Sequence, residues 1–198
     1  MVKSPLVIGI GGNIGAGKTT LAKIFQSFGA KIIDADKIGW SLLKQSSKEY
    51  HKIVKNFGRS ILTRNGNISR HRLGAIVFDN PQKLKLLNQI VHPRLLAQIR
   101  NGIQKKKGVV VLDAALLFNW GLEKEVDAAI LVSASKNLKI ERSQKSGMSK
   151  QTAEKRLAQQ LPEKVMVEKA DFIVKNNGTK QTLRKKAKAL WKVLNGLS

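Results

Sequence analysis

The ten residues GGNIGAGKTT, positions 11–20, constrain the fold of this chain more than any other stretch. Gly12, Gly17, Lys18 and Thr19 fit the pattern G-x-x-x-x-G-K-[ST], between an apolar run that predicts a strand and a segment with helical spacing. Glycines let backbone N–H groups curl around phosphates, and a helix N-terminus adds partial positive charge. A lysine bridges the outer phosphates, and the threonine hydroxyl can bind Mg²⁺. The stretch therefore predicts a phosphate-binding loop, and the alternative is a glycine-rich turn without a ligand.

Five apolar runs joined by helical segments predict an α/β fold. The runs are residues 6–10, AKIIDAD, GVVVLDAALLF, VDAAILVSA and ADFIVKNNG. The first strand, the glycine loop, a helix ending at Gly29 and the second strand form a βαβ opening. The segment TKQTLRKKAKALWKVLNG predicts an amphipathic helix whose core-facing residues are Leu183, Leu190, Trp191 and Leu194. Together these elements predict a three-layer domain with a five-stranded parallel sheet.

Residues 37–107 differ from this alternating pattern. They are mostly helical in spacing, with turn signals at NFGRS, RNGN and DNPQ. The apolar residues of 83–107 recur at helical spacing, with a break expected near Pro93. We therefore expect one domain over residues 1–198, with a core of 1–36 and 108–198 and an inserted helical subdomain at 37–107. Residues 136–169 predict a basic helix, a turn and a second helix.

Three aspartates follow predicted strands. Asp113 ends VVVLD, where a carboxylate can reach Mg²⁺ directly or through water; alternatively it caps the next segment. Asp34 and Asp36 would share one side of the second strand if that strand persists through both residues. The carboxyl ends of parallel strands form the ligand edge of a sheet, so one of the two could orient an acceptor hydroxyl and take its proton. Asp34 could instead cap the following helix.

The charge of the chain is strongly positive: 37 Lys and Arg face 13 Asp and Glu, a formal net charge of +24. Such a field attracts polyanions, or it reflects a general basic bias together with a site for several phosphates. Aromatic residues make up 5%, and we find no RNA-binding signature and no N-K-x-D motif, so we do not expect a nucleic-acid partner.

Other residue classes exclude several kinds of site. The absence of cysteine excludes disulfides and thiolate metal sites, and His51, His71 and His92 lack zinc-ligand spacing. Since no apolar run approaches the length that spans a bilayer, we expect a cytoplasmic protein without a membrane partner. We expect a monomer or a weak homo-oligomer.

Seven segments, in order along nearly the whole chain, resemble the dephospho-coenzyme A kinases, a family of P-loop kinases. They are GIGGNIGAGKTT, GAKIIDAD, FGRSILTRNGNISRHRLGAIVF, LNQIVHPRL, VVLDAALLF, RSQKSGMSKQTAEKRLAQQ and ADFIVKNNG. The DAD triplet, the FGRS block and the His-Pro pair separate this family from other P-loop kinases, which the loop alone does not. The resemblance implies transfer of the γ-phosphate of ATP to the ribose 3′-hydroxyl of dephospho-CoA, with Mg²⁺, in the last step of coenzyme A synthesis.

The resemblance also implies roles for individual residues. Asp36, Lys18 and Arg142 are the expected catalytic residues, with Asp36 facing the acceptor hydroxyl. Arg142 begins the stretch RSQKSGMSKQTAEKRLAQQ, which resembles the lid of the family, and we expect a helical lid at about 136–169. The expected nucleotide-binding residues are Gly12, Asn13, Ile14, Gly15, Ala16, Gly17, Lys18, Thr19, Thr20 and, near adenine, Asn176. The expected substrate-binding residues are Asp34, Arg70, His92 and Asp113, and the expected metal ligands are Thr19 and Asp113.

Some positions depart from the family pattern. Ala115 and Asn119 replace the proline and glutamate of P-L-L-F-E, and Lys145 stands where the lid usually has an arginine. The opening GGN, which ends at Asn13, replaces T-G-G. The residues alone leave two other functions open. One is a P-loop kinase for another nucleoside or nucleotide acceptor, and the other is a nucleic-acid-associated NTPase.

Overall fold

A sheet of five strands forms the centre of the fold in this computed structural model, which describes residues 4–78 and 80–196. The strands are β1 (Leu6–Gly11), β2 (Lys31–Asp34), β3 (Val109–Asp113), β4 (Ala128–Ser133) and β5 (Phe172–Lys175). Their order is β2-β3-β1-β4-β5, and every neighbouring pair is parallel. All six residues of β4 are buried, as expected for a strand covered on both faces. The predicted parallel sheet is therefore confirmed.

Helices connect the strands and form a second compact region. They are α1 (Lys18–Ser27), α2 (Ala35–Ser41), α3 (Lys48–Phe57), α4 (Arg70–Phe78), α5 (Pro81–Gln104), α6 (Lys136–Lys145), α7 (Lys150–Gln159), α8 (Glu163–Val167) and α9 (Lys180–Asn195). One compact unit comprises the chain up to residue 34 and from residue 103 onward, and the other comprises residues 35–102. The first unit holds the sheet, and the second is helical.

The core of the first unit lies between the sheet and the helices α1 and α9. Ile8, Ile130 and Val132 of the sheet are buried together with Leu21 and Phe25 of α1, and with Leu183, Ala187 and Leu194 of α9. The ring of Trp191 lies 5.5 Å from that of Phe25, centroid to centroid. Leu190 and Trp191 are partly buried against the same cluster, so the predicted apolar face of α9 is confirmed. This packing holds α1, and with it the loop before α1, against the sheet.

Two aspartates fix the register of neighbouring strands at their starts. Asp127 precedes β4 and accepts a 2.7 Å hydrogen bond from the backbone N–H of Val7 in β1, while its own N–H donates to the Val7 carbonyl. Asp171 precedes β5 and makes the same pair of bonds with Ala129 of β4. Because each aspartate satisfies the amide at the start of a neighbouring strand, both oppose a register slip.

The second unit has an apolar centre of its own. Ile53 of α3 and Leu95 and Ile99 of α5 are fully buried, and so is Ile61, the last residue of a short 3-10 helix at Arg59–Ile61. The Tyr50 hydroxyl donates to the Gly66 carbonyl, which closes the predicted RNGN turn against α3. This unit covers most of the segment that the sequence analysis assigned to a helical insertion.

Two expectations about local structure are wrong, and the condition attached to a third is not met. The helix α5 continues through Pro93, since the buried face formed by Val91, Leu95 and Ile99 offsets the hydrogen bond that a proline removes. Residues 136–169 contain three helices, because Pro162 starts α8 after α7 has ended. The second strand ends at Asp34, so Asp34 and Asp36 do not share a strand face.

No helix in the described part of the chain is both long and apolar enough to cross a membrane.

Candidate active site

The phosphate loop joins β1 to α1 and depends on glycine. Gly12, Gly15 and Gly17 have φ angles of 139°, 72° and 102°, in the region that favours glycine. A Cβ atom on Gly17 would lie 2.3 Å from Nδ2 of Asn176, so a larger residue would also collide with a neighbour. Gly17 is the N-cap of α1 and provides no side-chain cap. The loop therefore leads into a helix N-terminus, where backbone N–H groups and the helix dipole favour an anion.

Lys18 and Thr19 follow the loop as the first residues of α1. The ammonium group of Lys18 donates to the Asn13 carbonyl at 3.2 Å and so folds back over the loop. Thr19 is exposed, and its hydroxyl donates a hydrogen bond to the Asp113 carboxylate at the end of β3. The two side chains predicted to bind phosphate and metal therefore adjoin the carboxyl edge of the sheet.

Asp113 and Asp34 end neighbouring strands and are register partners. Burial raises the pKa of Asp113; the Thr19 hydrogen bond and the Lys18 charge oppose that effect, and the Asp34 charge adds to it. Oxygen donors such as these suit Mg²⁺, which usually takes one or two protein carboxylates and completes its shell with phosphates and water. The described residues contain no group of three or more His, Cys, Asp or Glu that could hold a metal, so a metal here needs oxygens from a bound phosphate. The residues fit Mg²⁺ in that form.

Asp36 lies in the first turn of α2, two residues after the end of β2, and is exposed. An acidic residue in the first turn of a helix interacts favourably with the helix dipole. The helix begins at Ala35, so the period-two placement of the DAD triplet does not apply.

Arg142 and Asn176 both contact the phosphate loop. The guanidinium of Arg142, on α6, donates to the Asn176 carbonyl at 3.0 Å and to the Gly15 carbonyl at 3.5 Å. The Asn176 side chain, which is buried, donates to the Ala16 carbonyl at 2.8 Å. The resemblance implied a place near adenine for Asn176; its side-chain amide lies against the backbone of the loop. Both residues support the loop from outside the G-x-x-x-x-G-K-T motif.

Arg70 and His92 belong to the second unit. Arg70 begins α4, and its guanidinium carbon lies 3.8 Å from the centroid of the Trp40 ring. Stacking of this kind holds a guanidinium plane in place. His92 precedes Pro93 within α5 and lines a groove of about 540 Å³ along that helix. These two of the four residues expected to bind substrate therefore lie in the second unit, whereas Asp34 and Asp113 belong to the first.

Two of the positions that depart from the family pattern lie on the surface. Asn119 is exposed. Lys145 is exposed and pairs with Glu141 of the same helix at 2.6 Å. Asn13 is different, because it is buried and its side chain makes hydrogen bonds inside the first unit.

Several residues that contact the loop were not predicted from the sequence. Lys139, Glu163 and Gln160 contact the loop or each other from the stretch after β4. Trp40, which lies under Arg70, was also missed. The burial of Lys139 on a basic helix has no signature in the sequence. Glu163, which directly follows Pro162 in a stretch with several lysines, was a weak signal of an ion pair.

A family model described as "Dephospho-CoA kinase" matches residues 6–182 of this chain. The dephospho-CoA kinase of Aquifex aeolicus is 36% identical over 189 residues, which cover 94% of this chain and 96% of that protein. A solved structure of the dephospho-CoA kinase from Campylobacter jejuni superposes with a TM-score of 0.69 at 30% identity, covering 97% of this chain and 98% of that one.

The fold extends to other small-molecule kinases. Shikimate kinase from Acinetobacter baumannii superposes with a TM-score of 0.55 at 14% identity, covering 98% of this chain and 95% of that one. At this identity the similarity shows a common kinase fold and nothing about the acceptor.

Proposed function

Because the chain belongs to the dephospho-CoA kinase family, which catalyses the last step of coenzyme A biosynthesis, we propose specific roles for its residues in that reaction. The chain is a kinase, and the family implies that it uses ATP. The phosphoryl acceptor is the ribose 3′-hydroxyl of dephospho-CoA. The single observation that carries the proposal is the convergence of Lys18, Thr19 and Asp113 at the carboxyl edge of the sheet.

The phosphate loop and the start of α1 hold the triphosphate of ATP. Backbone N–H groups of the glycine loop and of the start of α1 face the β- and γ-phosphates, and Lys18 exchanges the Asn13 carbonyl for phosphate oxygens. Arg142 adds positive charge beside the loop, because its guanidinium already reaches the Gly15 carbonyl. Asn176 keeps the loop in place through the Ala16 carbonyl.

Asp36 acts on the acceptor. The 3′-oxygen attacks the γ-phosphorus while the bond from that phosphorus to the bridging oxygen of ADP breaks, and the hydroxyl proton passes to the Asp36 carboxylate. Phosphoryl transfer has a loose transition state, so positioning of the hydroxyl matters as much as the basicity of the carboxylate. Asp34 and the second unit, with Arg70 and His92, bind the acceptor substrate.

Thr19 and Asp113 would hold Mg²⁺ together with the phosphates. The metal ion, when bound, neutralises negative charge on the β- and γ-phosphates. The Thr19 hydroxyl and the Asp113 carboxylate are joined by a hydrogen bond, which keeps both oxygens at the end of the loop.

The same proposal includes a division of the chain into a core at 1–36 and 108–198, an insertion at 37–107 and a lid at about 136–169. It also includes a cytoplasmic location and a monomer or weak homo-oligomer. We do not propose nucleic acid as a partner, because the +24 charge also suits a site for two polyanionic substrates.

Conversion of dephospho-CoA to coenzyme A by the purified chain, measured by the mass of the product, tests the proposal. The reaction should require ATP, and adenosine or a nucleoside monophosphate should accept phosphate far more slowly. The Lys18→Ala protein, purified in parallel, controls for a contaminating kinase. Faster transfer to one of those other acceptors would overturn the assignment of the acceptor.

A further inference from the structure

A buried lysine connects the phosphate loop to the stretch that follows β4. The side chain of Lys139 on α6 is 8% exposed, and its ammonium lies 2.6 Å from Oε2 of Glu163 on α8. The same ammonium donates to Oδ1 of Asn13 in the phosphate loop at 3.3 Å. The other oxygen of Glu163 accepts a 2.7 Å bond from the Ser133 hydroxyl at the end of β4. Because a buried charge without its partner is strongly destabilising, this arrangement keeps the three elements together.

A second set of hydrogen bonds joins the loop to the connection between α7 and α8. The Asn13 side-chain amide donates to the Leu161 carbonyl at 3.4 Å, so both ends of that side chain are used. The backbone N–H of Ile14 donates to Oε1 of Gln160 at 2.9 Å. The first half of the phosphate loop is therefore attached to residues 139–163 at two neighbouring positions.

The loop also lies directly on the backbone of α6. A Cβ atom on Gly15 would be only 2.2 Å from the Lys139 carbonyl oxygen, so any larger residue would push the loop away from that helix. Lys139 thus contacts the loop through both its backbone and its ammonium group. A small shift of α6 would move the loop with it.

Asn13 transmits this connection to Lys18. The Asn13 carbonyl accepts the ammonium of Lys18 at 3.2 Å, while the Asn13 side chain accepts the ammonium of Lys139. The connected series is therefore Glu163, Lys139, Asn13 and Lys18. Since the charge of Lys139 is already balanced by Glu163, its ammonium is suited to holding the loop and less suited to binding phosphate.

We propose that Lys139 and Glu163 are positioning residues, whose ion pair acts through Asn13 to hold the phosphate loop in its nucleotide-binding form before ATP arrives. The inference rests on the proposed binding of ATP by the loop. If the binding-competent form is already populated, less binding free energy is spent on ordering the loop. Loss of the pair therefore weakens binding of ATP and leaves binding of dephospho-CoA as it is.

The test substitutes Lys139→Met, which removes the buried charge but keeps the length of the side chain. Glu163 then still accepts from Ser133, and its side chain is 39% exposed to water. We expect KM and the dissociation constant for ATP to rise about fivefold to tenfold, in line with loss of a hydrogen bond to a charged group. KM for dephospho-CoA should stay within about twofold, because a change in the phosphate loop affects binding of ATP and not binding of the acceptor.

Asn13→Ala separates the ion pair from the loop while leaving the pair itself intact, and it should give the same rise. The double variant Lys139→Met/Asn13→Ala should be no worse than either single variant, because both cut the same connection. Glu141→Gln is the matched control: it removes an ion pair of the same 2.6 Å length from the exposed face of the same helix. It should leave both KM values unchanged.

Equal changes in both KM values, or a lower melting temperature with unchanged ATP binding, would show that the pair is only structural and would overturn the inference. Additive effects in the double variant would also overturn it. Lys18→Ala distinguishes failure of the proposed ATP site from failure of the positioning role alone. If Lys18→Ala still binds ATP normally, the assignment of the loop fails; if it loses ATP while Lys139→Met does not, only the positioning role fails.

Discussion

The Thr19 hydroxyl donates a hydrogen bond to the carboxylate of Asp113, which joins the first turn of α1 to the end of β3. The motif at residues 12–19 and the strand that ends at Asp113 are far apart in the sequence, yet their polar groups meet at one edge of the sheet. The effects expected for substitutions at Lys18, Thr19 and Asp113 depend on this edge of the sheet and on the contacts around it.

Lys18→Ala should lower kcat/KM by at least about a hundredfold, because it removes a charge that stabilises the phosphates in the transition state. The ammonium lies against the Asn13 carbonyl and not in the apolar core, so the melting temperature should change little. Steady-state kinetics and thermal unfolding measure the two effects. Near-normal turnover would contradict the proposed role of the loop.

Asp36→Asn should lower kcat by about a hundredfold to a thousandfold, while the dissociation constant for ATP changes little. The amide keeps the shape of the side chain but cannot accept the hydroxyl proton. Asp36 is exposed in the first turn of α2, so the substitution leaves the core intact. Turnover equal to that of the unsubstituted chain would remove Asp36 from its role.

Asp113→Asn should raise the Mg²⁺ concentration needed for half-maximal activity by about tenfold, since a charged oxygen ligand becomes a neutral one. Thr19→Val should act in the same direction, because it removes the hydroxyl that contacts Asp113. Thr19→Ser, which keeps that hydroxyl, serves as the control. A Mg²⁺ titration at saturating ATP distinguishes these variants, and an unchanged requirement in Asp113→Asn would argue against metal binding there.

Stability should fall in acid through Glu163. Burial acts to raise the pKa of this carboxyl, but hydrogen bonds from Lys139 and Ser133 and the charges of Lys139 and Lys175 outweigh burial and hold the pKa below its ordinary value of 4.5. A lowered pKa in the folded chain gives stability that is complete above the unfolded value and is lost as pH falls below it. Urea unfolding should therefore show a loss below about pH 4.5 that Glu163→Gln lacks.

Glu141 is the control for that measurement, because Lys145 also lowers the pKa of Glu141 but both side chains of this pair are exposed. High salt should screen the contribution of Glu141 and leave that of the partly buried Glu163 largely intact. A loss in acid that salt abolishes entirely would not come from Glu163.

Raising the salt concentration should lower kcat/KM and leave kcat nearly constant, because screening acts on the encounter of a chain of net charge +24 with anionic substrates. Lys185 and Lys188 are exposed on α9, and their joint replacement by glutamine should keep kcat/KM within about twofold at physiological salt. Lys186 is left in place because it donates to the Lys175 carbonyl at 2.6 Å. A large drop in the double variant would show that α9 takes part in substrate capture.

The sequence predicts those parts of the fold that depend on local pattern. The motif from Gly12 to Thr19 and the apolar runs carry their own signals, and Gly29, with a φ angle of 108°, directly follows the C-cap of α1, as predicted for a residue that stops the helix. Local sequence could not predict that α5 continues through Pro93, because that outcome depends on the burial of Leu95 and Ile99 in the folded chain. The side-chain contact between Lys139 and Asn13 joins residues 126 positions apart, and no spacing rule connects them.

The hydrogen bond from Asn176 to the Ala16 carbonyl has a consequence for the order in which the chain matures during synthesis. The two residues are 160 positions apart. A ribosome adding about 5–20 residues per second takes roughly 8–30 seconds to travel from one to the other. Throughout that interval the glycine loop has been synthesised, but the Asn176 side-chain amide that donates to its Ala16 carbonyl has not. This contact can therefore form only after all five strands of the sheet and the whole helical unit at residues 35–102 have been translated.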